Sequence, residues 1–232
     1  MTIEKQRSHP KPKDVSDKDY DVVIGRSHLT GYEGWPPPQS IREHLEVFAK
    51  FIDEHAAGTT ILDLGCGDGS IDRILAELSP KKKITGVDLE VHEQWGIKAP
   101  KNLSFKDASI YDLPYKEKSF DVVMLKDVLH HLDNPEETLA KIAKLAKKQV
   151  IVIEANRYNP ISYIRMVKIA KHEHFSRKKL KNIVGKPATL RTTEAHVWPE
   201  SLKSIGKAND AVFNKINLLS PLRNYNFILF EP

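Results

Sequence analysis

Three carboxylates and three glycines hold the first chemistry that can be read from this chain. Asp63, Asp88 and Asp107 each stand at or near the end of a short apolar segment, and Gly65, Gly67 and Gly69 follow the first of them on alternate positions. Glycine there lets a ligand approach the backbone and serves positions that need φ > 0. A turn that opens on Asp63 suits a cationic ligand better than a pyrophosphate. Asp88 lies 19 residues beyond Gly69, placed to accept both ribose hydroxyl protons of an adenosine. Leu89 follows it, where an adenine face would lie. A second group, His130, His131 and Glu154, comes after two later apolar segments. A side chain of either type can remove the proton of an acceptor hydroxyl when its pKa is near the working pH. His130 is the expected pocket-facing histidine and His131 the buried one, bonded to a loop carbonyl; the sequence does not fix which way either points.

These residues need an open α/β sheet to bring them together. Ile61, Leu62 and Leu64 read as a parallel strand buried on both faces. Ile71 to Leu78 carries apolar residues at helical spacing, so strand, glycine turn and helix form the first unit. Lys83–Asp88 and Asn102–Asp107 read as the second and third strands, Ser119–Leu125 as the fourth and Gln149–Glu154 as the fifth. Ahead of the sheet, Ser40 is expected to cap a helix from Ile41 to about His55, with Ile41, Leu45, Phe48 and Ile52 on one face. Between the fourth and fifth strands, Asp133-Asn134-Pro135-Glu136-Glu137 supplies a cap, an early proline and acids for a helix N-terminus, and Thr138 to Lys148 continues it. Thr189–Pro199 is expected to hold the sixth strand, Glu200–Leu219 a helix, and Tyr225–Phe230 a closing edge strand.

The spacing of the glycines separates two ligands. A dinucleotide fingerprint wants glycine or alanine three residues past its second glycine, and that position here is Ser70. Leu62-Asp63-Leu64-Gly65-Cys66-Gly67-Asp68-Gly69 instead resembles the first motif of the class I S-adenosylmethionine-dependent methyltransferases. Phe120-Asp121-Val122-Val123, followed by Val128-Leu129-His130-His131-Leu132, is similar to a later segment of small-molecule members of that family. The resemblance implies a doubly wound, Rossmann-like sheet of seven mostly parallel strands in the order 3-2-1-4-5-7-6, its last strand antiparallel and helices on both faces. It also implies S-adenosyl-L-methionine as cofactor. The glycine loop (Asp63, Gly65, Cys66, Gly67, Gly69) would wrap the methionine part, Asp63 helping to hold the amino end. Asp107, with Ala108 beside it, would bond the adenine amino group, and Lys126 at the end of the fourth strand joins the expected cofactor set.

The acceptor side is read from the second half. From Arg157 to Arg191 there are ten Lys or Arg against one acid, Glu173, while the whole chain carries only +5. Such a segment favours an anionic acceptor, a phospholipid surface or an RNA backbone, and as a basic helix face it also suits plain solvation. Pro160–Ile169 reads as a helix that can lie on an anionic membrane, and Ser176 as the cap of a second helix, Arg177 to Val184. His172 and His174 are too isolated from a third ligand for a metal site. Asn156, Arg157, His172, His174, Tyr32 and Trp35 are the candidate acceptor-side residues. Glu154–Pro160 with His172–Ser176 is similar to methyltransferases of glycan and lipid pathways. With the basic segment, the leading reading is O-methylation of a small anionic, lipid-linked or glycan acceptor; RNA, favoured by the same basic residues, is the alternative, and a non-catalytic binding subunit is the reading from another class. The fourth strand ends in Leu125-Lys126-Asp127, not in the proline motif of base-amine methylases, which argues against base-directed DNA methylation.

The chain's 232 residues, 40% apolar and 29% charged, suit one globular domain over 57–232 with a flexible leader at 1–19 and a lid or helical segment at 20–56. Its single cysteine excludes an internal disulfide, and Cys66 is expected to pack. With no apolar run near the ~20 residues of a membrane span and no signal segment, the expected location is the cytoplasm. Oligomeric state is left open.

Overall fold

The computed structural model describes residues 35–158, 163, 175–185, 189–193 and 225–232. The elements, in chain order, are α1 (Gln39–His55), β1 (Thr60–Leu64), α2 (Ser70–Leu78), β2 (Lys83–Asp88), β3 (Leu103–Asp107), β4 (Phe120–Lys126), α3 (Pro135–Ala143), β5 (Ala146–Ala155), α4 (Arg177–Val184), β6 (Thr189–Thr193) and β7 (Tyr225–Phe230). They form a seven-stranded sheet of order β3-β2-β1-β4-β5-β7-β6. The contacts β1–β2, β1–β4, β2–β3 and β4–β5 are parallel, and β7 runs antiparallel to both of its neighbours. The expected strand order is found. The expectation of Tyr225–Phe230 as an edge is corrected: β7 is an interior strand, which is why Phe227 and Ile228 are both buried.

Side-chain alternation divides the core between the two faces. Leu62, Leu64, Val123, Leu125, Val150 and Val152 pack with Leu139 and Ile142 of α3 and with Leu180 and Ile183 of α4. Ile61, Ile84, Val122, Met124, Ile151 and Ile153 pack with Phe48 and Ile52 of α1 and with Ile74 and Leu75 of α2. Covered on both sides, the central strands have no solvent face, and this explains their unbroken apolar runs. Asp63 falls on the Ile61 face, so its side chain looks toward α2.

Three expected boundaries shift. Helix α1 starts at Gln39, one turn being closed by the Pro38 carbonyl, which accepts the N–H groups of Ile41 and Arg42 at 3.0 and 2.9 Å; Ser40 lies inside the helix. Helix α3 begins at Pro135 and ends at Ala143. Strand β5 then starts at Ala146, because Ala146 pairs with Phe120 and the Phe120 N–H bonds the Leu145 carbonyl at 3.1 Å. Sheet pairing overrides the helix preference of Ala-Lys-Lys there. Ser176 caps α4 as expected, its hydroxyl accepting the Lys179 N–H at 3.2 Å. The leader, the expected helices at 160–169 and 200–219, Tyr32, His172 and His174 lie outside the described residues.

Candidate functional site

At the carboxyl ends of β1, β2 and β4 the sheet opens into a cavity of about 330 Å³. Its floor is the turn from β1 into α2. The N–H groups of Gly65 and Cys66 both bond the Val87 carbonyl, at 2.8 and 3.1 Å, which ties this turn to β2. Gly67 has φ +56 and an added Cβ would meet no atom within 4 Å, so it would project into open space. Gly69 answers to a different constraint. A Cβ there would stand 2.3 Å from the Phe105 ring, so this glycine serves helix–strand packing and does not line the cavity.

The Gly67 peptide is held from both sides. Its N–H donates to Oδ2 of Asp88 at 2.8 Å, and its carbonyl accepts the Trp95 indole N–H at 3.0 Å. Trp95 stacks on Phe105, ring centroids 5.0 Å apart and planes 7° from parallel. Trp95 belongs to a short 3-10 turn, Glu93–Gly96, and neither it nor His92 was legible as a site residue. Asp63 and Asp88 line the cavity with Gly65, Cys66, Gly67, Leu89, Ala108 and Lys126. Asp107 pairs with Asp88 across β2 and β3 but is not on the wall; Ala108, Ile110 and Tyr111 take that side.

Charge is concentrated behind the floor. Asp63 is 4% exposed and Asp72 is fully buried, and no donor among the described residues reaches Asp63 Oδ1 or either oxygen of Asp72. Burial pushes Asp63 up to about 7, while the neighbouring Asp72 carboxyl and the charge of Lys126 pull the other way. Burial and the neighbouring Asp63 also push Asp72 well above the ordinary carboxyl range. Burial also raises the Cys66 thiol, with Asp72 and Asp63 adding to it, so that sulfur stays protonated and inert. Lys126 bonds Asp127 at 2.5 Å and lies over the Phe48 and Tyr225 rings at 4.7 and 5.3 Å. Burial works against its charge, and Asp127, Tyr225 and Asp63 outweigh that and hold it protonated. Asp127, at φ +55, is one of two non-glycine residues in the left-handed region among those described, a strained geometry typical of functional sites.

The two histidines exchange places relative to expectation. His130 Nδ1 lies 2.7 Å from Oε2 of Glu154, and both side chains are 1% exposed. Oε1 of the same Glu154 accepts the Leu129 N–H at 2.8 Å. Together they anchor the 3-10 turn Leu129–His131 to β5, away from the cavity. His131 is the histidine on the cavity wall, its ring 4.1 Å from that of His130 between centroids. Residue alternation past β4 was not fixed by sequence because the chain leaves regular structure at Asp127. Of the acceptor-side candidates, the described ones, Asn156, Arg157 and Trp35, are not on the cavity wall. Asn156 is buried and its Oδ1 accepts the Tyr158 N–H at 3.2 Å, while the Arg157 guanidinium lies 5.9 Å from the Tyr163 ring centre. Trp35 sits between the guanidiniums of Arg42 and Arg73, 6.0 and 5.5 Å from its ring, off the cavity wall.

A glycine turn with an acid behind it and a second acid on the next strand tip defines a class of fold and site, and the match by sequence agrees. Residues 55–197 match the methyltransferase-domain family, and the chain belongs to it. Over 161 residues it is 31% identical to the O-methyltransferase cnsE of Penicillium expansum, covering 60% of this chain and 56% of that protein. It is 32% identical over 124 residues to the ubiquinone biosynthesis O-methyltransferase of Nitrosospira multiformis, covering 49% of this chain and 51% of that one. The chain spans about half the length of the curated relatives it matches. In fold it is similar to the plantazolicin methyltransferase BpumL, solved with SAH, at a TM-score of 0.58 and 17% identity, over 93% of this chain and 91% of that chain.

Proposed function

We propose that the cavity binds S-adenosyl-L-methionine and that the protein transfers its methyl group to an oxygen of a small acceptor. The observation that carries this is a pair of acids on one wall. Asp88 has one oxygen fixed by the Gly67 N–H, and Asp63 stands on the same cavity wall at the end of β1. A carboxylate on the wall of a largely apolar cavity suits a ligand's ammonium, and charge-assisted hydrogen bonds of that kind are the strong ones. Asp63 therefore faces the amino-acid end of the cofactor and Asp88 the ribose hydroxyls. Leu89, Ala108 and Ile110 supply apolar surface for the adenine, and the open space over Gly67 is the cradle between them. The residues present thus fit this cofactor.

When bound, the cofactor supplies a methyl group already activated by sulfonium charge. What remains for the chain is placement, which can account for a large part of the barrier reduction, and removal of a hydroxyl proton. His131, on the wall beside Asp127 and Val128, takes that proton at a ring nitrogen. The names of the O-methyltransferase relatives agree with an oxygen acceptor. Lys178, Lys179 and Lys181, exposed on α4, favour an acceptor that carries phosphate or carboxylate, small and free or linked to lipid or glycan, and the same surface would suit an RNA backbone.

Calorimetry with S-adenosylhomocysteine tests the site. Asp88→Ala should weaken binding at least about tenfold, or about 1.4 kcal/mol, because both the hydroxyl acceptor and the tie to Gly67 are lost. Affinity equal to wild type in that variant refutes the assignment.

A further inference from the structure

An amino-acid tail carries a carboxylate beside its ammonium, and neither Asp63 nor Asp88 can receive it. Backbone N–H groups in a turn that leads into a helix commonly take an anion. In this chain they are already engaged. The N–H groups of Gly65 and Cys66 both bond the Val87 carbonyl, at 2.8 and 3.1 Å, and that of Gly69 bonds the Cys66 carbonyl at 3.1 Å. The Gly67 N–H donates to Asp88 at 2.8 Å, and the Ser70 N–H donates to Oδ1 of Asp68 at 2.9 Å. The cavity wall also carries Asp63, Asp68, Asp88 and Asp127, whose charges oppose the entry of a further anion.

Among the described residues, Lys126 is the only lysine or arginine on that wall. The sheet sets it close to Asp63. Asp63 pairs with Met124 across β1 and β4, so Lys126, two residues on, rises on the same face and about 7 Å farther along the strand. Oδ2 of Asp127 accepts a hydrogen bond from its ammonium at 2.5 Å, and the Phe48 and Tyr225 rings flank it at 4.7 and 5.3 Å. Asp127 is fixed in turn by its own N–H, which bonds the Ile153 carbonyl at 2.8 Å. The lysine side chain is 22% exposed, neither sealed in the core nor loose in solvent. Among the described residues Asp127 is the only acceptor it reaches, which leaves two of its three N–H bonds for a ligand. We infer that Lys126 binds the carboxylate of the cofactor's amino-acid tail, so that acid and base on neighbouring strands read an amino acid and not a nucleoside alone. This deepens the proposed function and rests on it.

A lysine among acids has a competing role, which is to offset their charge. The two roles part over the ligand. A counter-charge supports every ligand alike, whereas a carboxylate partner is felt only by a ligand that carries a carboxylate. The bond in question joins two ionised groups beside aromatic rings, the setting in which such bonds are strong. Lys126→Gln keeps a donor for Asp127 and removes the cation. Lys126→Met keeps the unbranched stem alone, and Lys126→Arg keeps the charge.

The experiment compares three ligands by calorimetry: S-adenosylhomocysteine; S-adenosyl-3-thiopropylamine, which keeps the ammonium and lacks only the carboxylate; and methylthioadenosine, which lacks both. Wild type should bind S-adenosylhomocysteine at least about tenfold tighter than the thiopropylamine ligand. In Lys126→Gln and Lys126→Met that preference should shrink to within about twofold, through loss of S-adenosylhomocysteine affinity alone, and Lys126→Arg should recover part of it. Thermal melting checks that each variant is folded; the wild-type preference needs no variant, and Lys126→Gln carries the comparison where Lys126→Met does not fold. If wild type binds the first two ligands equally, or if the substitutions weaken all three ligands by the same factor or none of them, Lys126 is a counter-charge only and the inference is overturned while the cofactor reading stands. If wild type binds none of the three, the cofactor reading fails and takes this one with it.

Discussion

Two adjacent histidines show how strongly the role of one side chain depends on what stands behind it. His130 and Glu154 form a buried, hydrogen-bonded pair that also satisfies the Leu129 N–H. Removing the carboxylate leaves both donors without an acceptor in a dry site. Glu154→Ala should therefore cost about 3 kcal/mol or more, read as a lower midpoint in urea unfolding. His131 is partly exposed on the cavity wall, and its loss leaves the core intact. His131→Gln should change stability by less than about 1 kcal/mol and leave S-adenosylhomocysteine affinity as it was. With a hydroxyl acceptor in hand, its turnover should fall about a hundredfold. Equal turnover in that variant would remove His131 as the base. Asp63 and Asp88 were readable from sequence because acids at strand tips beside a glycine turn constrain their own geometry. Which histidine faces the cavity was not, since Asp127 at φ +55 turns the chain out of the alternation that would have decided it.

At the scale of elements, the segment after β2 is part of the site although nothing in its sequence periodicity says so. Arg73 of α2 is completely buried and donates to the carbonyls of Gln94, Ile97 and Lys98 at 2.5, 2.8 and 3.2 Å. Those bonds hold the 3-10 turn whose Trp95 reaches the Gly67 carbonyl. An apolar replacement such as Arg73→Met frees the segment and strands three carbonyls. The expected outcome is a loss of about 2–4 kcal/mol in stability together with about tenfold weaker S-adenosylhomocysteine binding. Trp95→Phe should weaken binding by a like factor at a smaller cost in thermal stability; unchanged affinity in both variants would show that the turn only packs. Elsewhere the element boundaries that were legible are those set by local chemistry. Lys83–Asp88 ends on its acid, and α4 starts directly after the Ser176 cap. The boundary that was missed, between α3 and β5, is set by Phe120 on a distant strand, and Gly69 was read as a ligand residue because only the fold brings Phe105 against it.

For the molecule as a whole, acids act on stability in opposite directions. Asp121 of β4 accepts the N–H groups of Thr59 and Thr60 at 3.0 and 3.2 Å, which pins the start of β1 to its neighbour. Those bonds, led by that of Thr59, pull its carboxyl down to about 2 from the ordinary 3.8. A depressed acid contributes stability that is present above its unfolded value and is lost as pH falls through the folded one. The contribution is about 2 kcal/mol, lost between about pH 4 and 2. Asp121→Ala should lower stability by about that amount at neutral pH and flatten the acid limb of a stability–pH curve; a limb as steep as wild type would contradict this. Asp63, raised to about 7, works the other way. Its contribution is greatest below its unfolded value and declines as pH rises toward 7, so the site is held together at some expense to the fold at neutral pH.

Strand β5 offers one flank to β4 and the other to β7, with Val150 opposite Phe230 and Ile153 opposite Phe227. The two strands on that second flank are far apart along the chain, and loop closure over such a separation is slow. While β7 is still unassociated, β5 presents an uncapped ladder of four consecutive apolar residues, Val150 to Ile153, the kind of bare template on which another copy can pair. Yield during refolding is therefore governed by how soon the late-arriving strand seals this seam, ahead of any chemistry at the opposite end of the sheet.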